Sequence, residues 1–276
     1  MDRRVKVLRN AATCILVLLA SLYGRTAENG PLPSARVKYL GGRVLSDDDR
    51  AEMNRPEGYC AVQGAGGSVK VLFLGNSTAL HGPKPEIGWT NNWGMAASAP
   101  EKDYVHLTTR GIERHLGAKA EMRVRNVYGF ECGYRTWDIE ANLKEEIAFR
   151  PDYLILGFGG NAKDLDKPEN AAAWGKAVDR LIDSFTRADG SRPVVVVVGG
   201  FWPKEELDVT LRAAAKRHAA PFVKSDFAGE PGMYAKGLFW HKGVEGHPGD
   251  RGMAERARRI LSALFPEDGG QQKEGR

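Results

Sequence analysis

Hydrophobic and polar positions follow two periods along this chain, and the two take turns. Residues 69–75, Val-Lys-Val-Leu-Phe-Leu-Gly, form an apolar run that stops abruptly in Gly75-Asn76-Ser77, the pattern of a buried strand entering a tight turn. Residues 103–116 then place apolar side chains at helical spacing, 120–127 alternate like a strand, and 137–149 return to the helical period. Strand 153–158, helix 170–187, strand 193–198, helix 205–218, a short strand 221–223 and a last helix 250–264 continue the alternation. Strands separated by helices of this length imply right-handed crossovers and a parallel sheet covered on both faces, so the fold class is α/β. Ligands of such sheets bind at the carboxyl ends of the strands.

The flanks read differently. Residues 11–23 are almost entirely apolar and follow a segment with Arg3, Arg4, Lys6 and Arg9 against the single acid Asp2. That length is short for a membrane span and fits the hydrophobic part of a secretory signal, with an uncleaved anchor as the alternative. Cleavage after Gly24 leaves small or aliphatic residues at the recognised positions. Residues 1–27 are therefore read as signal peptide or anchor, 28–67 as an irregular extension rich in Gly, Pro and charge, 68–266 as the main domain, and 267–276 as a polar, disordered tail. The expected location is outside the cell, in the periplasm or at the envelope, with no membrane contact beyond that anchor.

Composition bounds the picture further. A chain of 276 residues with 42% hydrophobic content can bury one large core, so a single domain is expected. The net charge of +5 and pI near 9.0 are mild, and the basic residues are scattered apart from the amino terminus and residues 251–259, which leaves no footprint for nucleic acid. Export changes the outlook for Cys60 and Cys132, because an oxidising compartment would let them pair; two separate thiols are the alternative.

The candidate chemistry begins at Ser77. A serine hydroxyl is a poor nucleophile at neutral pH unless a base takes its proton and donors stabilise the oxyanion that forms. Two further stretches supply such groups: Gly160-Asn161 at the end of strand 153–158, and Gly246-His247-Pro248-Gly249-Asp250 opening the last helix. Taken in this order, the three stretches resemble the SGNH hydrolase family, also called GDSL esterases and lipases, over most of residues 68–265. The resemblance implies a flavodoxin-like three-layer α/β/α sandwich with a central parallel sheet, and no metal or organic cofactor.

Carried over residue by residue, it makes Ser77 the nucleophile, its own amide lending one oxyanion contact, Asn161 a second donor, and His247 the base. The family's first block is usually Gly-Asp-Ser; here Asn76 stands for the Asp and keeps the turn chemistry, since both side chains cap local backbone groups. For the family's second block, which adds a glycine amide to the oxyanion hole, Gly133 is preferred over Gly129. Many members carry Asp three residues before the histidine, where this chain has Val244. Glu245 could replace that Asp, a backbone carbonyl could orient the ring in a Ser-His dyad, or the protein could be impaired.

The loop after the serine, residues 82–100, is polar and aromatic. Trp89, Asn92 and Trp93 suit a sugar ring, with its apolar face and fringe of hydroxyls; a cap over the core is the other reading. His81 is a rival base, better suited to a pocket wall or a structural role. The expected activity is an exported serine esterase cleaving small acyl esters, such as acetyl groups on carbohydrate, through an acyl-enzyme on Ser77. A non-catalytic carbohydrate-binding relative is the alternative. A nucleotide binder is disfavoured, because Gly75-Asn76-Ser77 lacks the glycines and lysine of a phosphate-cradling loop.

Overall fold

The computed structural model describes residues 37–38 and 60–266, with side chains from residue 61 onward. The signal or anchor, most of the extension and the tail lie outside the described residues. Among the described residues the chain forms one seven-stranded sheet in the order β1-β2-β4-β3-β5-β6-β7. The strands are β1 (Val37–Lys38), β2 (Cys60–Gln63), β3 (Val69–Gly75), β4 (Ala120–Asn126), β5 (Tyr153–Gly157), β6 (Val194–Val198) and β7 (Phe222–Val223). From β3 onward every pairing is parallel, and β3 lies between β4 and β5. Counting these five strands in chain order gives 2-1-3-4-5, the flavodoxin-like arrangement, whose switch point lies beside its first strand. The expected α/β fold is the one found.

The extension is less irregular than its composition suggests. Residues 37–38 and 60–63 add two short strands beyond β4, with β2 antiparallel to β4 and β1 parallel to β2. β2 covers the ladder that β4 would otherwise leave open, the usual need of a sheet edge.

The apolar runs are continuous because both faces of the sheet are buried. Leu72 and Leu74 of β3 face one layer, while Val71 and Phe73 face the other. The first layer holds α2 (Tyr128–Gly133), α3 (Ile139–Asn142), α4 (Lys144–Phe149), α5 (Pro168–Asp183) and α6 (Glu205–Arg217). The second is built by α1 (Tyr104–Leu116) and α8 (Asp250–Leu264), which pack on each other. α1 starts where Asp103 accepts from the His106 amide at 2.8 Å and stops at Gly117, whose φ of 63° suits a residue without Cβ. α5 opens with Pro168, whose missing N–H costs nothing in a first turn.

The expected helix 137–149 is two helices, α3 and α4. Asp138 caps the first by accepting from the Ala141 amide at 2.9 Å, and the chain kinks at Leu143, which is drawn fully into the core. Neither α2 nor α7 (Lys242–Glu245) shows as a periodic pattern in the sequence; each is too short to repeat a face. No helix among the described residues is long and apolar enough to cross a membrane.

Trp174 anchors the first layer. It has no exposed surface and sits with its ring centroid 5.4 Å from Phe130, 5.3 Å from Tyr134 and 5.9 Å from Phe158. Trp174→Ala should therefore lower the unfolding free energy by about 3–5 kcal/mol in urea titration, the usual range for emptying an aromatic core site. A loss below about 1 kcal/mol would contradict this packing.

Candidate active site

β3 delivers its carboxyl end into a turn that Asn76 holds shut. The Asn76 Oδ1 accepts from the Thr78 amide at 3.2 Å and the Thr78 hydroxyl at 3.0 Å, and its carbonyl accepts from the amides of Ala79 and Leu80. Gly75 is required by close packing, since a Cβ there would lie 2.5 Å from that of Ala79. Within residues 71–80 Ser77 alone is partly exposed. The turn thus pushes one hydroxyl out of an otherwise buried segment.

His247 meets it. The ring Nε2 lies 2.8 Å from Ser77 Oγ, while Nδ1 lies 2.6 Å from the carbonyl oxygen of Gly243. A carbonyl can only accept, so Nδ1 carries the proton and Nε2 is left bare to accept from the serine hydroxyl. That is the tautomer a general base needs. Burial, opposed by the bond to the Gly243 carbonyl and aided by the neighbouring His81, brings the His247 pKa down to about 4. Trp202 packs edge-on against the ring at 5.3 Å and donates its indole N–H to the Gly246 carbonyl at 3.0 Å. The sequence pattern does not single out this tryptophan, because it lies in an irregular loop after β6.

Glu245 does not hold the ring. Its carboxylate accepts from Lys242 Nζ at 2.8 Å and from the Gly237 amide at 3.1 Å. An extended segment would have set residues 245 and 247 on one side, but residues 242–245 form the helical turn α7. In a helix the carbonyl four residues back comes into reach, and residue 245 points elsewhere. Val244, where many relatives of the resembled family have Asp, is fully buried.

The Gly160-Asn161 segment lies against the nucleophile turn, since a Cβ on Gly160 would be 3.6 Å from Asn76 Nδ2. Asn161 donates its side-chain amide to Glu131 of α2. Glu131 has no exposed surface and also accepts from Asn76 Nδ2 at 3.0 Å and from the Gly159 amide. Burial raises its pKa, opposed by these donors. Sequence reading missed Glu131, which sits in the unpatterned stretch Gly-Phe-Glu-Cys-Gly. Gly133 ends α2 and, with Tyr128, Arg135, Asn161, Lys163 and Lys204, lines an open cavity of about 930 Å³.

Of the two readings of the loop, sugar contact or cap over the core, Trp89 takes the second, while Trp93 is partly exposed. Trp89 has no exposed surface and donates its indole N–H to the His81 carbonyl at 2.9 Å; Trp93 donates to the Ala97 carbonyl at 2.8 Å and packs edge-on to Trp89 at 5.9 Å. Asn92 is partly exposed. The loop buttresses the nucleophile turn: the Met95 amide donates to the Ser77 carbonyl at 2.8 Å and the His81 amide to the Trp93 carbonyl at 3.0 Å. His81 Nδ1 faces the Gly82 carbonyl at 2.7 Å, and it is His247 that reaches the serine. Cys132 is a free, exposed thiol at the cavity, against the pairing expected with Cys60, whose side chain lies outside the described residues.

No protein-family model matches the chain, and no curated protein does. Among solved structures it is similar to the acetylxylan esterase Axe2 of Geobacillus stearothermophilus at 16% identity, covering 73% of this chain and 96% of that one with a TM-score of 0.46. It is also similar to a lipase/acylhydrolase of Enterococcus faecalis at 16% identity, covering 71% and 95% with a TM-score of 0.44. A lipolytic protein of the G-D-S-L family from Desulfitobacterium hafniense matches at 12% identity, covering 71% and 100% with a TM-score of 0.41.

Two outcomes follow from the geometry. A base must be neutral to accept a proton, and burial lowers the His247 pKa to about 4, so kcat/KM of an ester reaction should fall only below about pH 5 and stay flat up to neutrality. A profile that falls through pH 6.5 would contradict that environment. Glu245→Gln should lower turnover less than about tenfold, whereas His247→Ala should lower it by about three orders of magnitude or more. Comparable losses would return Glu245 to the ring.

Proposed function

We propose that this chain is a serine esterase of the SGNH type, working through a Ser77-His247 dyad oriented by the Gly243 carbonyl. The observation that carries it is the run of contacts from Ser77 Oγ to His247 Nε2 at 2.8 Å and from Nδ1 to the Gly243 carbonyl at 2.6 Å. A histidine that merely capped a helix would have no reason to aim a bare nitrogen at the half-buried serine of a strand-end turn.

In the proposed reaction His247 takes the proton as Ser77 Oγ attacks the ester carbonyl. The tetrahedral oxyanion is met by the Ser77 amide and by the Asn161 side chain; Gly133, expected as a further donor, closes α2, so its N–H is spent on the carbonyl four residues back. Collapse expels the alcohol, which His247 protonates, leaving an acyl-Ser77. Water then repeats the sequence in reverse, with His247 again as base. Groups of this chain supply every proton transfer.

The cavity beside Asn161, which Ser77 and His247 do not themselves line, supports an ester of a polar alcohol. Its wall carries Arg135, Lys163 and Lys204, the amide of Asn170 and the exposed ring of Tyr128. Hydroxyl-rich carbohydrate suits such a wall, and Tyr128 takes over the sugar-facing role expected of the loop tryptophans. A small acyl group such as acetyl is the proposed acid part. Export is proposed from the amino-terminal pattern alone. The rival reading, an impaired carbohydrate binder, loses its two supports: Trp89 is buried, and the missing Asp is answered by a carbonyl that fixes the same tautomer.

A fluorophosphonate probe should label Ser77 and no other serine of the folded chain, and a short-chain aryl acetate should be hydrolysed. Ser77→Ala should abolish both. Labelling elsewhere, or a folded sample that neither labels nor turns over, would overturn the assignment.

A further inference from the structure

We infer that Glu131 is a positioning residue for the proposed reaction, a buried carboxylate that fixes which face of the Asn161 amide meets the oxyanion. The inference rests on the esterase reading and adds a residue to it. Glu131 lies at the meeting point of three segments. Its Oε1 accepts from Asn76 Nδ2 on the nucleophile turn at 3.0 Å and from the Gly159 amide after β5, and its Oε2 accepts from Asn161 Nδ2. Each of these three contacts is a donor, which suits an ionised carboxylate; a neutral carboxyl would turn an O–H against one of them. The donors that oppose the effect of burial are likewise neutral amides. Here the charge is held by N–H dipoles, so each is committed to a direction.

That commitment matters for Asn161. The two ends of a carboxamide are nearly the same size, and a site that tolerated either would present an oxygen to the oxyanion in part of the molecules. A carboxylate acceptor excludes the flipped form, because Oδ1 would then face Oε2. One Nδ2 hydrogen is spent on Glu131, and the other stays free for the oxyanion. The same contact accounts for Asn76, which stands where the resembled family usually has Asp. An Asp there would set two carboxylates about 3.0 Å apart in a buried place, and an amide donates instead.

Glu131→Gln tests this with little change of shape. The new NH2 would meet two donors on the side of Asn76 and Gly159 and only one on the side of Asn161, so it faces Asn161 Nδ2, where donor meets donor. Turnover of a short-chain aryl acetate should fall about tenfold to a hundredfold, with KM changed less than about threefold, as expected when a transition-state donor is misdirected. In an Asn161→Ala background the same substitution should cost little more, since its effect passes through that amide. Glu131→Asp discriminates further. It is shorter yet still only accepts, so it should keep more activity than Gln, whereas a mere packing role would favour Gln. Unchanged kcat in Glu131→Gln, full additivity with Asn161→Ala, or Gln above Asp in folded proteins would each overturn the inference. Failure of the wild-type chain to label at Ser77 or hydrolyse the acetate would sink the esterase reading instead.

Discussion

Two side chains 170 residues apart in sequence, Ser77 and His247, meet at 2.8 Å, and most of the structure is arranged to make that meeting hold. On one side β3 is fixed by ladders to β4 and β5 along nearly its whole length, so Ser77 emerges at a defined height above the sheet. On the other, α8 packs on α1 across the second layer and opens just after His247. A parallel sheet puts its strand carboxyl ends at one edge, and the switch point beside β3 opens a crevice there.

The electrostatics of the site follow from burial. A neutral carbonyl on Nδ1 fixes the tautomer of His247 but supplies no full charge to stabilise the imidazolium that the proposed attack would form, and the pKa of the buried ring is brought down to about 4. In serine proteases that carry a Ser-His-Asp triad, neutralising the carboxylate on the histidine costs about 10⁴ in turnover. Here the buried carboxylate beside the nucleophile turn, Glu131, faces the amides and not the imidazole. Orientation, more than charge on the base, is what this arrangement provides.

The sequence was most legible where burial is two-sided. Val194–Val198 and Val71–Leu74 are unbroken apolar runs because helices cover both faces of the sheet, and the turn residues after β3 and β5 stand out against them. Ser77, Asn161 and His247 stood out as candidates for the same reason: each follows or precedes a strongly patterned element. Glu131 could not, since an acidic residue in a short unpatterned helix declares its burial only when its three donors, from distant segments, are in place. Trp89 failed in the opposite direction. A tryptophan in a non-periodic loop reads equally as lining or as filling, and only tertiary packing decides. The choice left open between Glu245 and a backbone carbonyl turns on the local backbone, because one helical turn at 242–245 exchanges the neighbour two residues back for the carbonyl four back.

That turn also shows how the loop and the base are joined. Val244 is buried in a small cluster with Trp89, Met95, Ala96 and Ala235, and Trp93 and Phe239 pack against it. The same cluster holds the segment whose Met95 amide donates to the Ser77 carbonyl. So Val244, standing where the resembled family usually has Asp, works as an apolar peg: it seats α7, α7 presents the Gly243 carbonyl, and that carbonyl sets the ring. Burying a valine contributes about 1.5–3 kcal/mol without the desolvation cost of a charge. One core of a few residues therefore holds the nucleophile turn and the base in a common frame, and a charged residue at 244 would have to break that core to reach the imidazole.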